Sequence, residues 1–107
     1  MTQPESESIV SICFALGHKR RLAIFNLLID RPDAGKTLGH LERATRLARA
    51  TLIHHLRQME KAGLIRRRQK GAETEYLLTP AGAASTADHL ATRLRHPGIP
   101  APLMRAG

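Results

Sequence analysis

The spacing of apolar residues predicts a mainly α-helical domain with one small β-hairpin (α+β), built as four helices, two strands and a closing helix. Three observations carry this. Leu52, Leu56 and Met59 recur at i, i+4 and i+7, one apolar stripe along a helix, while Ala50, Ile53, His54, Arg57 and Lys61 project from the other side. Gly63 follows the last periodic residue, where a left-handed backbone closes a helix without a Cβ clash, and two short extended runs flank Lys70-Gly71-Ala72 beyond it. Thr79-Pro80 then opens a last helix, because threonine caps a helix and proline is preorganised at its first position.

Taken in order, Ile9 to Leu16 is apolar at nearly every position, with Ile9, Val10, Ile12, Cys13, Phe14 and Leu16 spread over more than one helical face. Such a helix in a small domain needs two partners, its own core and plausibly a second subunit. Cys13 reads as a small apolar filler, or alternatively as a reactive thiol whose switching would need a bond between chains or a covalent adduct. A second helix is expected from Lys19 to Ile29, burying Leu22, Phe25, Leu28 and Ile29 and ending at Asp30-Arg31-Pro32. Arg20 and Arg21 are either phosphate contacts or part of a solvated face. Asp33 to Lys36 reads as a turn, and Thr37 caps a short third helix through Leu38, Leu41 and Ala44. The turn at Thr45-Arg46 leads into the fourth helix. The strands are Leu64 to Gln69, carrying Arg66, Arg67 and Arg68, and Glu73 to Leu78. On the last helix Ala84, Ala87, Ala91 and Leu94, with Leu90 alongside, form a stripe small enough for close helix approach. Residues 1–96 are expected to form the domain and 97–107, with Pro97, Pro100 and Pro102, a flexible tail.

A chain of 107 residues is long enough for one core and too short for two. Its formal net charge of +8 favours a polyanionic partner. Phe14, Phe25 and Tyr76 are its only aromatic residues, which argues against single-stranded nucleic acid and sequence-specific RNA, where bases stack on exposed rings. Duplex DNA remains, and a helix with polar groups beside a ribbon carrying Arg66, Arg67, Arg68 and Lys70 suits a groove and its flanking phosphates. No apolar run is long enough to span a bilayer and the first eight residues lack the pattern of a secretory signal, so a soluble cytoplasmic protein is expected. The single cysteine rules out an internal disulfide and any multi-thiolate cage within one chain. There is no phosphate-binding glycine loop and no nucleophile with its base, so neither catalysis nor a cofactor is expected.

Leu47 to Ile65 resembles the recognition helix of the ArsR-type winged helix-turn-helix transcriptional regulators. Ile53-His54-His55-Leu56 and Ala62-Gly63-Leu64 stand where that family carries Ser-His-His-Leu followed by Ala-Gly-Leu. Upstream, Ala15-Leu16-Gly17-His18-Lys19-Arg20-Arg21-Leu22 is similar to the family's Ala-Leu-x-His-Pro-x-Arg-Leu. The two matches fall in the expected order and together span roughly residues 9 to 95. The resemblance implies a winged helix-turn-helix in which the third helix supports the fourth, and in which the first and last helices form a homodimer. The chain departs from the family at Lys19, where proline is usual, at Thr45-Arg46, which lacks a glycine, and at Ala48 and Ile53, where serines are usual.

On this reading Arg49 is the candidate for bidentate hydrogen bonding to guanine, with His54 and Arg57 as further groove contacts on a surface shared with Ala50 and Thr51. Ile53 could pack on a thymine methyl or could signal altered specificity. Arg46, Arg66, Arg68 and Lys70 are candidates for phosphates. The expected dimer residues are Ile9, Cys13, Ala84, Ala87, Leu90, Ala91 and Leu94. The metal sites known in the family find no ligand set: Leu38 to Ala44 has no cysteine, and Asp88, His89 and His96 are incomplete and wrongly spaced. A zinc ion shared by His89 and His96 between chains is the alternative, whereas His54-His55 cannot chelate because neighbours on a helix point roughly 100° apart. The function expected is a homodimeric, sequence-specific double-stranded DNA-binding regulator that represses at an inverted repeat. The alternative is a winged-helix protein-interaction module, suggested by Ala48, Ile53 and the proline-containing tail.

Overall fold

A computed structural model describes residues 3–95, 97 and 98, the side chains of residues 3–6 excepted. The elements are α1 (Gln3–Leu16), α2 (Lys19–Ile29), β1 (Lys36–Thr37), α3 (Leu38–Thr45), α4 (Arg49–Lys61), β2 (Ile65–Lys70), β3 (Glu73–Leu78) and α5 (Pro80–Leu94). The strands form one antiparallel sheet in the order β1-β3-β2. The domain is mainly helical with a small β wing, as the sequence predicts, but the sheet has a third strand. Lys36 and Thr37, expected at the end of a turn, pair with Tyr76 and Glu75. Gly35, at φ +66°, makes this possible: a Cβ there would come within 3.2 Å of Leu77.

The core draws on the first four helices and the wing, with Ala83 of α5 packed against it. Ile12 and Ala15 of α1, Ile24 and Leu28 of α2, Leu41 of α3, and Leu52, Leu56 and Met59 of α4 meet Leu64, Ile65, Tyr76 and Leu78. The α4 stripe is buried as its spacing requires. Helix α1 starts before the expected Ile9 and keeps Val10 and Phe14 outside, each 66% exposed.

Helix α2 keeps its predicted ends but not its predicted face. Arg21, Ile24 and Leu28 are buried, Phe25 is half-buried, and Leu22 and Ile29, expected inside, are exposed. Arg21 explains the rotation. Its Nε donates to the Ala15 carbonyl at 2.7 Å and its Nη2 to the Phe14 carbonyl at 3.4 Å, both in the last turn of α1, where the Phe14 oxygen also accepts the Gly17 N–H at 3.2 Å. The guanidinium also sits 5.5 Å from the centre of the Phe14 ring. Arg21 is therefore neither a phosphate contact nor a solvated side chain; it fastens α2 to α1.

Helix α4 closes with a pair of nested bonds. Gly63, at φ +81°, donates to the Glu60 carbonyl at 3.0 Å and Leu64 to the Met59 carbonyl at 3.0 Å. The hairpin then turns through Gly71 and Ala72, so Lys70 belongs to the strand and pairs with Glu73. The expected three-residue turn is thus shortened by one. Gly71, at φ +63°, takes the first loop position, where a two-residue hairpin of type II′ needs glycine.

Helix α5 follows Thr79, whose side chain makes no capping bond. Its N–H instead donates to the Leu64 carbonyl at 2.7 Å, tying the end of the wing to the end of α4. Close approach to α1 is made at Gly82, where a Cβ would lie 3.1 Å from Ile12 Cδ1, and Thr86 is buried. The alanine stripe points elsewhere. Pro97 and Gly98 form a turn, while His96 and 99–107, most of the expected tail, lie outside the described residues. No helix among the described residues is long and apolar enough to cross a membrane.

Candidate nucleic-acid interface

The start of α4 is held without the serine cap that the family uses. Ala48 makes no side-chain capping bond. Instead, Arg46 closes α3 in the left-handed region at φ +58°, donating its N–H to the Glu42 carbonyl at 2.8 Å. The Thr45 hydroxyl donates to the Leu41 carbonyl at 2.7 Å and accepts the Leu47 N–H at 3.3 Å, and Leu47 packs against the core. Glu42 then reaches across to α4: its Oε1 accepts from Arg49 Nη2 at 2.6 Å and Nε at 3.1 Å. That hydrogen bond, and next the carboxylate charge, push the Arg49 pKa further above its ordinary value. The pair is exposed, so salt and competing anions can displace it.

Beyond that start, the predicted groove residues divide. Arg46, Arg49, Ala50, His54 and Arg57 are exposed, whereas Thr51 and Ile53 are half-buried and have less surface to offer. Arg43 and Arg49 line one shallow concavity with Thr37, Glu73, Thr74 and Tyr76, so α3, α4 and the wing open on a common side. Arg46 shares a second groove with Arg20 and Asn26 of α2. Arg20, one of the two arginines of α2 considered for phosphates, stands beside Arg46, and Arg43 joins Arg49 through packing that linear spacing does not signal.

On the wing, alternation puts Arg66, Arg68 and Lys70 on one face and Arg67 on the other. Arg66 and Lys70 are exposed. Arg68 is half-buried and donates to Glu75 Oε1 through Nη2 at 2.9 Å and Nε at 3.3 Å. Arg67 donates to Glu60 Oε2 on α4 at 2.9 Å, which, with the charge of that carboxylate, raises its pKa. The Arg68–Glu75 pair is legible in the hairpin once its two-residue loop is known, since the two are register partners. The others join elements whose relative placement is tertiary.

The adjacent histidines of α4 differ in burial. His54 is exposed; His55 is buried, with its ring centre 4.7 Å from that of His18 at the α1–α2 corner. Burial first, then the charges of His18, Arg21, His54 and Arg20, lower the His55 pKa.

The expected dimer residues lie on α1 and α5. Cys13, Ala84, Ala87, Leu90 and Leu94 are exposed, Ala91 is half-buried, and half-buried Ile9 lines a groove with Gly82, Thr86 and His89. Among the described residues no three of His, Cys, Asp and Glu gather closely enough to hold a metal ion.

Comparison with known proteins places this arrangement. Residues 16–68 match a helix-turn-helix domain family. No curated protein sequence matches the chain. Among solved structures it is similar to HlyU from Vibrio cholerae N16961, at 26% identity over 88% of this chain and 98% of that one, with a TM-score of 0.65. It is similar also to an ArsR-like transcriptional regulator from Rhodococcus sp. RHA1, at 23% identity over 82% and 80% of the two chains, with a TM-score of 0.72. NolR from Sinorhizobium fredii shares the fold at 18% identity, over 94% and 97%, with a TM-score of 0.64. Family and neighbours are transcriptional regulators and not enzymes. With a helix-turn-helix domain over residues 16–68 and a basic wing, the chain has the winged helix-turn-helix fold of the ArsR-type regulators.

Proposed function

We propose that residues 1–96 act as a cytoplasmic homodimer that reads an inverted repeat in double-stranded DNA and represses transcription by occluding a promoter. The observation that carries this is the concavity in which Arg43 and Arg49 stand beside the wing residues Glu73, Thr74 and Tyr76, with Arg46, His54 and Arg57 exposed nearby in the sequence. Two such faces would enter successive major grooves about one turn, roughly 10 base pairs, apart. Arg49 exchanges Glu42 for guanine, His54 and Arg57 line the groove, and Arg46, Arg66 and Lys70 take phosphates. Arg68 is neutralised by its pair with Glu75 and takes a phosphate only by exchanging that carboxylate. The exposed apolar side chains of α1 and α5 support pairing with a second copy. The family's metal sites have no part in the response, so a chelator leaves DNA affinity unchanged.

A salt titration on a selected operator tests the reading. If the dimer neutralises ~8 phosphates, log affinity falls with log salt at a slope near −7; a flat titration overturns it. One observation favours the protein-interaction alternative: Arg49, Arg67 and Arg68 are all engaged by carboxylates. Selection from random duplexes separates the two. Enrichment of a palindrome supports the regulator, and no enrichment at low salt supports the interaction module.

A further inference from the structure

The His18–His55 contact joins α4 to the corner between α1 and α2, His55 buried and His18 half-buried. The ring planes are tilted by 50°. His18 Nδ1 is committed as an acceptor: it takes the Arg20 N–H at 3.1 Å and so caps α2. His55 is 5% exposed, and its Nδ1 is buried without a hydrogen-bond partner. The charged or chargeable groups acting on it are His18 from the corner, Arg20 and Arg21 from α2, and His54 from its own helix, 5.6 Å away between ring centres. None is an acid. The carboxylates of Glu42, Glu60 and Glu75 are held by Arg49, Arg67 and Arg68. Arg21 is committed to the carbonyls of α1 and cannot move aside. A proton on the His55 ring therefore meets only positive neighbours, and any donor hydrogen placed on His18 Nδ1 would remove the acceptor that caps α2.

We propose that His18 and His55 are positioning residues that seat the recognition helix on the α1–α2 corner while both rings are neutral, and that acidification unseats it and releases DNA. The release rests on the DNA-binding reading above; the seating does not. Its sign is opposite to simple electrostatics. By simple electrostatics, positive charge gained as pH falls tightens binding to DNA. His55 does the reverse. Its folded pKa lies below the ordinary value of about 6.5, so the unfolded chain takes up the proton first and stability is lost as pH falls through that range.

The experiment follows the thermal midpoint and the affinity for a selected duplex from about pH 8 to about pH 5.5, across the histidine range, on the full chain. Both are expected to fall together, affinity by about tenfold per pH unit for one coupled proton. His18→Asn with His55→Phe, which keeps an oxygen to cap α2 and removes both titrations, is expected to abolish both dependences, whereas His54→Ala is not. Wild-type affinity that holds or rises in acid without loss of stability overturns the proposal, as does a double variant with the same pH dependence. If that variant does not fold, His18→Asn alone serves: NMR titration should show the His55 pKa rising once its cationic neighbour is gone, and an unchanged value overturns the contact. A chain that binds no duplex at pH 8 defeats the DNA-binding reading only, and the midpoints and titrations still decide the latch.

Discussion

Arg46 occupies a backbone position that costs an L-residue roughly 1–2 kcal/mol, because its Cβ crowds the following carbonyl. Glycine is commoner in this part of a helix-turn-helix, and a guanidinium here makes sense only if its charge is used. Arg46→Gly and Arg46→Ala remove the same charge, so both should weaken duplex binding at every sequence. They should part in stability, glycine being about 1 kcal/mol the more stable in urea denaturation. Arg21 is the other residue whose environment decides its role. Arg21→Met should cost about 1–3 kcal/mol in the same assay, because the Ala15 carbonyl loses its side-chain donor and the Phe14 carbonyl keeps only the Gly17 N–H. A sequence shows Arg21 on an apolar helix with two ways to face. It does not show that α1 ends where those two carbonyls can accept from it.

At the scale of elements, local chemistry was a good guide wherever it was sufficient. Thr37 caps α3, accepting the His40 N–H at 3.2 Å, and Gly63 ends α4, both readable from residue type and periodicity. Gly63→Ala meets nothing within 4 Å, so its effect should be purely conformational: a loss of about 1 kcal/mol in thermal or urea unfolding, with the fold and the recognition face unchanged. Strand boundaries were less legible. Extending β2 to Lys70 instead of Gln69 resets every cross-strand partner, and with it the pairing of Arg68 with Glu75. β1 could not be read at all, since two residues have no periodicity of their own and become a strand only by lying against the free edge of β3.

For the whole molecule, the open question that sequence and fold pose together is pairing. Leu90 is 47% and Leu94 51% exposed on α5, while Val10 and Phe14 stand out from α1. Leu90→Glu with Leu94→Glu should yield a folded monomer by sedimentation, with circular dichroism retained and operator affinity reduced by at least about tenfold through loss of the second half-site. A pair of charges that leaves the sedimentation of a dimer unchanged would move the interface elsewhere. By itself the sequence determined where the helices lie and that its charge favours a polyanionic partner, because helical periodicity, capping and net charge are local or summed properties. Only the tertiary structure decided that Arg21 and His55 turn inward, that Arg20 stands beside Arg46 and Arg43 joins Arg49, and that Arg49, Arg67 and Arg68 are tethered. Those outcomes depend on carbonyls, carboxylates and a strand edge offered by other segments, and such offers exist only once the segments have met.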